Sequence, residues 1–193
     1  VNNLEGFGTD TSVLVAADVS GSMFTTISPK SSVMNYDIGI LLSMLLKSKC
    51  SSVISGMFGE SWKVLNLPQE NILANTIEMK SREGEVGYST NGYKVIDYLL
   101  DNKIRMDKVM MFTDMQMWDS TYREKHIQKS WTRYRQMCPE AKLYLFDLQG
   151  YGHAPVRLVG DDVTLIAGWS DKVFDVLNAV ENGAEVLDKI KVI

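Results

Sequence analysis

Five oxygen-bearing side chains stand out because they lie at or between the ends of apolar runs. Asp18, Ser20 and Ser22 crowd into the segment DVSGSM directly after the first apolar run. Asp114 ends a later run, and Thr90 lies in a polar, glycine-dotted segment between the two. Together they offer carboxylates and hydroxyls, with no thiolate or imidazole. These hard ligands select hard cations, so the sequence predicts a site for Mg²⁺ or Mn²⁺ and not for zinc.

A site with so few negative charges has a consequence for binding. A divalent cation held there keeps net positive charge toward solvent, and we expect it to recruit a carboxylate or phosphate from a partner. Gly21, between the two serines, is expected to let the backbone fold back so that both hydroxyls point at one ion.

A sheet must position these side chains, because apolar runs and helical stretches alternate along the chain. The alternation predicts an α/β fold: a mostly parallel central sheet with helices on both faces and an antiparallel edge strand. Loops at the carboxyl ends of parallel strands meet at one edge, which brings the five residues together. Strands are predicted at 12–17, 52–58, 62–65 (the edge strand), 109–112, 141–148 and 161–169, and helices at 36–46, 71–79, 93–102, 121–137 and after Ser170.

Length and charge limit the organisation and the partners. A chain of 193 residues fits one α/β domain. Its net charge of −4 gives no overall positive potential that would attract nucleic acid or an acidic membrane surface. It has no apolar run long enough to span a membrane and no export signal, so no membrane partner is expected. We expect one domain over 1–193, with a core at 12–181 and a tail at 182–193, excised from a larger protein because the chain begins with Val1. Cys50 and Cys138 lack metal or redox spacing and are expected to be buried, inert thiols.

The segment DVSGSM resembles the D-x-S-x-S signature of von Willebrand factor A (vWA) domains and their metal-ion-dependent adhesion site. Thr90 in YSTNG and Asp114 in FTDMQ follow in the order of that family. The resemblance implies that Ser20 and Ser22 ligate the metal directly and that Thr90 and Asp114 bind it directly or through water. Asp18 would hold metal-bound water and orient the serines. The resemblance to vWA domains covers nearly the whole chain and implies a Rossmann-like three-layer sandwich.

Within that family, VLVAADVSGSM and FTDMQMWD are similar to the C-terminal vWA domain of Ro/TROVE-type proteins. This resemblance implies a parent protein with a ring of helical repeats that binds small non-coding RNAs. The A domain would then be a cytoplasmic interaction module of a ribonucleoprotein. Because that ring is not in this sequence, RNA binding does not carry over to this chain.

The leading hypothesis is a non-catalytic module in which the metal bridges to an acidic side chain of a protein partner. One alternative is a Mg-dependent phosphohydrolase, but such enzymes resemble D-x-D-x-T, and here Ser20 replaces the second acidic residue. Another is a domain that itself contacts RNA. Lys125, Lys129 and Arg133 form a basic stripe on one predicted helix, although a solvated helix face explains the same spacing.

The segment after Asp114 also carries a partner hypothesis. Met115, Met117 and Trp118 are apolar side chains next to the predicted metal site, which suits a partner-docking surface. Packing against a neighbouring helix explains them equally well. Asp147, at another strand end, is expected to hydrogen-bond its own loop.

Overall fold

A computed structural model of the chain describes residues 11–115, 124–150 and 162–168. Its centre is a six-stranded sheet in the order β3-β2-β1-β4-β5-β6. The strands are β1 Ser12–Asp18, β2 Ser52–Phe58, β3 Trp62–Val64, β4 Lys108–Thr113, β5 Lys142–Asp147 and β6 Val163–Ala167. The helices are α1 Asn35–Lys49, α2 Ile72–Ser81, α3 Tyr93–Asp101 and α4 Glu124–Met137.

The sheet is parallel except at its edge. β2 and β3 pair antiparallel, with Phe58 opposite Trp62, and every other pairing is parallel. This confirms the predicted mostly parallel sheet with an antiparallel edge strand. Strand order reverses direction between β1 and β4, which makes the carboxyl ends of these two strands the topological switch point where ligands bind in open α/β sheets.

Both faces of the sheet are covered, as the three-layer prediction requires. In β1, Val13, Val15 and Ala17 pack into an apolar cluster with α1. The alternate residues, Leu14 and Ala16, pack into a second cluster with α3 and α4. Side chains alternate across a strand, so a run buried on both faces reads as continuously apolar.

Several helix boundaries differ from the sequence prediction. α1 extends to Lys49, beyond the predicted end at 46. Its last turn carries Lys47 and Lys49, and positive charge there interacts favourably with the helix dipole. α4 is described from Glu124 onward. The predicted helix after Ser170 and the tail at 182–193 lie outside the described residues, so the division of the chain at 181 stays a prediction.

Two further sequence expectations can be compared with the structure. Cys50 and Cys138 are both free and buried, as predicted. Within residues 11–115, 124–150 and 162–168, no helix is long and apolar enough to cross a membrane.

Candidate metal site

Asp18 is the residue of the candidate site that the protein holds most firmly in place. It ends β1, is fully buried, and both of its carboxylate oxygens accept hydrogen bonds. Oδ1 accepts from the Ser20 amide at 2.8 Å, and Oδ2 accepts from the Thr113 hydroxyl at 2.6 Å. Burial, with a smaller effect from the nearby charge of Asp114, raises the pKa of Asp18 to about 7, although the hydrogen bonds from Thr113 and Ser20 lower it.

The end of β4 supplies the second carboxylate. Asp114 follows Thr113 directly and is fully buried. After it the chain turns through Met115, which adopts a positive φ of 60° that is uncommon for a residue with a side chain. The Met115 amide donates to the Thr113 hydroxyl at 3.1 Å and so fixes this turn. Thr113 therefore links the two strand ends, because its hydroxyl serves Asp18 and the Asp114 turn together.

The two serines lie on a short 3-10 turn, Gly21–Phe24, with Ser20 at its N-terminus. Ser20 is fully buried and Ser22 is half-buried, and their hydroxyl oxygens are 3.4 Å apart. The backbone does fold back at Gly21 and bring the two hydroxyls together, but this does not require a glycine: Gly21 does not adopt a positive φ, and a Cβ there would meet the Tyr88 carbonyl only at an ordinary 3.8 Å. The turn itself and the bond from the Gly21 amide to that carbonyl, at 2.9 Å, bring the hydroxyls together.

The loop that carries Thr90 is held against the end of β2. A Cβ on Gly59 would lie 2.1 Å from the Gly87 carbonyl oxygen, so the two backbones approach more closely than any side chain allows. Asn91 adds two bonds, from its amide to the Gly59 carbonyl at 2.9 Å and from its side chain to the Glu60 carbonyl at 3.0 Å. These contacts fix Thr90, which is 8% exposed, beside the serine turn.

The donor set of this site fits a hard divalent cation. It contains two buried carboxylates and three hydroxyls, all of them oxygen ligands, in a loop cluster at the switch point. In the part of the chain that the structure describes, no three His, Cys, Asp or Glu side chains form a metal-binding group. A metal held by these side chains would depend on hydroxyls as much as on carboxylates, which suits Mg²⁺ or Mn²⁺ better than zinc.

The remaining sequence candidates fall in different places. Met115 is only 6% exposed and packs in the cluster with α3 and α4, which matches the packing alternative and removes it from the proposed docking surface. Met117 and Trp118 lie outside the described residues. Asp147 accepts from the amides of Gln149 at 3.1 Å and Gly150 at 3.0 Å, so it holds its own loop as expected.

The basic stripe on α4 is described in part. Lys129 and Arg133 are exposed, while the apolar residues of the same helix, Ile127 and Trp131, are buried. This is the arrangement of an amphipathic surface helix. The side chain of Lys125 lies outside the described residues.

Sequence reasoning missed two features of the site. Thr113 reads as the last residue of an apolar strand, and nothing in the pattern indicates where its hydroxyl points. The contact between Gly59 and Gly87 joins residues far apart in sequence. The one sequence signal for it is that both residues are glycines and lie next to predicted elements of the site.

Comparisons with known proteins come from sequence and from structure. A sequence profile for the Ro60 vWA domain matches residues 12–180. No curated protein matches the chain. The fold is similar to that of the Deinococcus radiodurans Ro (RSR) protein, with a TM-score of 0.72 and 18% identity over 91% of this chain and 35% of that one. It is also similar to an aerotolerance-related membrane protein from Bacteroides fragilis, with a TM-score of 0.57 and 13% identity over 90% of this chain and 99% of that one.

At these identities the structural matches show the fold alone. They agree with the predicted Rossmann-like vWA architecture. The chain spans 35% of the length of the Deinococcus protein, so it corresponds to one part of that larger molecule.

Proposed function

Because the chain belongs to the Ro60 vWA domain family, we propose that it is a non-catalytic binding module that contacts a protein partner through a divalent metal ion. The ion is Mg²⁺ or Mn²⁺. The partner contributes an acidic side chain that completes the coordination of the ion.

One observation carries this proposal: two fully buried carboxylates, Asp18 and Asp114, lie at neighbouring strand ends beside buried hydroxyls. Two like charges in a buried site repel each other, and their interaction contributes to the raised pKa of Asp18. A divalent cation would offset that repulsion and the cost of burying the charges.

The residues divide into those that would hold the ion and those that position them. Ser20, Ser22, Thr90 and Asp114 would hold it, directly or through water. Asp18 would orient the serine turn through the Ser20 amide and bind water on the ion. When bound, the ion supplies positive charge that attracts a carboxylate, which is the role that such a hydroxyl-rich site suits.

The sequence argues against an aspartyl-phosphate enzyme, because the position two residues after Asp18, where such an enzyme carries its second acidic residue, is Ser20. Asp18 accepts one hydrogen bond at each carboxylate oxygen, from Ser20 and from Thr113, and these bonds suit a positioning residue whose remaining lone pairs hold water.

The larger protein is a second part of the proposal. We place this domain in a Ro-like ribonucleoprotein of the cytoplasm, in which small non-coding RNA binds elsewhere in the parent and this domain recruits protein. The family membership supports the Ro-like assignment. The location, the RNA and the acidic partner are predictions.

Isothermal calorimetry tests the proposal. Mg²⁺ is titrated into the wild type and into the Ser20→Ala/Ser22→Ala variant, each with and without sodium acetate. We expect the wild type to bind Mg²⁺, more tightly with acetate, and the double variant to lose both effects. Metal binding that acetate leaves unchanged would contradict the bridging role, and hydrolysis of an aryl phosphate that Asp18→Asn abolishes would contradict a non-catalytic module.

A further inference from the structure

A row of aromatic side chains, which we call the aromatic ledge, lies beside the candidate metal site. It consists of Tyr36, Phe24 and Tyr88. Tyr36 and Phe24 stack with centroids 4.9 Å apart, and Phe24 meets Tyr88 edge-on at 5.8 Å. Tyr36 is buried, Phe24 is half-buried and Tyr88 is 55% exposed, so the row runs from the core to the surface.

The ledge is held in place at its buried end. The Lys80 ammonium of α2 lies 5.0 Å from the centre of the Tyr36 ring and 2.6 Å from a carboxylate oxygen of Asp37. Tyr36 itself belongs to α1 and packs in the core cluster of that face. Because the first ring is fixed, the Tyr88 ring rests on a rigid support, and little side-chain freedom remains to be lost on binding.

The exposed end of the ledge is joined directly to the metal site. Tyr88 lies two residues before Thr90, and its carbonyl accepts from the amide of Gly21, between the two site serines. A Cβ on Gly21 would lie 4.0 Å from the Cβ of Tyr88. The Tyr88 ring thus starts at the rim of the site, where a partner that reaches the metal would pass.

We infer that the ledge binds an aromatic side chain of the same partner segment that offers its carboxylate to the metal. This inference rests on the proposed function and adds the kind of partner: an extended acidic segment with an aromatic residue close to the acid. In an extended chain, residues two apart leave the same face, at about 6–7 Å. The carboxylate would meet the charge of the ion while the aromatic side chain stacks on Tyr88.

Two short peptides provide the test: acetyl-Asp-Gly-Phe-amide and acetyl-Asp-Gly-Ala-amide. Their affinities for the 193-residue protein are measured by calorimetry with saturating Mg²⁺ and again with EDTA. We expect both to bind only with Mg²⁺, and the Phe peptide to bind roughly 2- to 10-fold more tightly. Tyr88→Phe should keep this preference and Tyr88→Ala should remove it, and the Mg²⁺ affinity of each variant is measured separately so that both peptides are compared at saturating Mg²⁺. Ile77→Ala removes another exposed apolar side chain, on α2, and should change nothing.

The outcomes separate this inference from the proposed function. Equal Mg²⁺-dependent binding of both peptides would overturn the ledge and leave the metal module standing. No Mg²⁺-dependent binding of either peptide would overturn the proposed function and the ledge with it. Loss of the preference in Tyr88→Phe would exclude ring stacking. Self-association of the wild type that Tyr88→Ala abolishes, measured by sedimentation, would assign the ledge to a second copy of the chain instead.

Discussion

Thr113→Val removes one hydroxyl while keeping the size of the side chain, and it tests how the site is built. The hydroxyl donates to buried Asp18 at 2.6 Å and accepts from the Met115 amide at 3.1 Å. Losing a hydrogen bond to a charged group costs about 1.5–3 kcal/mol, and leaving a buried amide without its acceptor costs about 1–3 kcal/mol. We therefore expect a loss of about 4 kcal/mol, or roughly 8–16 °C in Tm for a chain of this size.

The assay is thermal unfolding followed by circular dichroism, in EDTA at pH 8, where Asp18 is mostly ionised. Mg²⁺ affinity is then measured by calorimetry and should fall about 10- to 100-fold, as for other residues that orient metal ligands. Thr113→Ser keeps the hydroxyl and serves as the control, with most of both effects restored. A Tm within about 2 °C of the wild type, together with unchanged Mg²⁺ affinity, would refute the role given to Thr113.

Three further predictions follow from the same structure. The pKa of Asp18 is raised from 3.8 to about 7, so between these values the folded state binds more protons than the unfolded state, and the stability of the metal-free protein should fall as pH rises toward 8. Between pH 5 and pH 8 this shift corresponds to a loss of about 2–3 kcal/mol in the free energy of unfolding, measurable by urea unfolding in EDTA, and Asp18→Asn should remove it. Gly59→Ala should displace the Thr90 loop and weaken Mg²⁺ binding in calorimetry, because its Cβ would meet the Gly87 carbonyl at 2.1 Å, whereas Gly84→Ala, with its nearest contact at 3.3 Å, should not. Burial raises the pKa of Cys50 to about 11, so its thiol should react with Ellman's reagent only when urea unfolds the protein, and reaction at the rate of a free thiol in native buffer would contradict its burial.

The sheet was predictable because burial on both faces leaves a plain pattern in the sequence. The second strand, predicted at 52–58, is Ser52–Phe58 in the structure. The antiparallel edge strand is also where the turn at Gly59 predicted it, although it ends one residue earlier, at Val64. The other four strands also lie where their apolar runs predicted them, but their bounds differ from the prediction by one or two residues, because backbone pairing does not end at the same residue as the apolar run.

The end of α1 was harder to predict, because its last turn carries little apolar signal. Lys47, Ser48 and Lys49 continue the helix beyond the apolar residues on which the prediction rested. Charge at the helix C-terminus and backbone bonds stabilise such a turn, and neither produces hydrophobic periodicity.

The candidate site shows the same division. Strand ends place Asp18 and Asp114 together, so a pattern of runs ending in carboxylates was enough to pair them. The contacts that hold these residues in place could not be predicted from the sequence. They depend on the direction of the Thr113 hydroxyl and on the contact of Gly59 with Gly87 across the fold. Met115 was ambiguous for a related reason: only the turn with positive φ sends its side chain into the core.

The most direct test of the central claim is a Mn²⁺ titration followed by electron paramagnetic resonance, in which bound Mn²⁺ loses the signal of the free ion. The wild type is compared with Asp114→Ala and with Asp101→Ala, which removes an exposed carboxylate at the end of α3. We predict one bound Mn²⁺ in the wild type and in Asp101→Ala, and much weaker binding in a folded Asp114→Ala. Equal Mn²⁺ binding by all three proteins, or by none of them, would contradict a metal site at the carboxyl ends of β1 and β4.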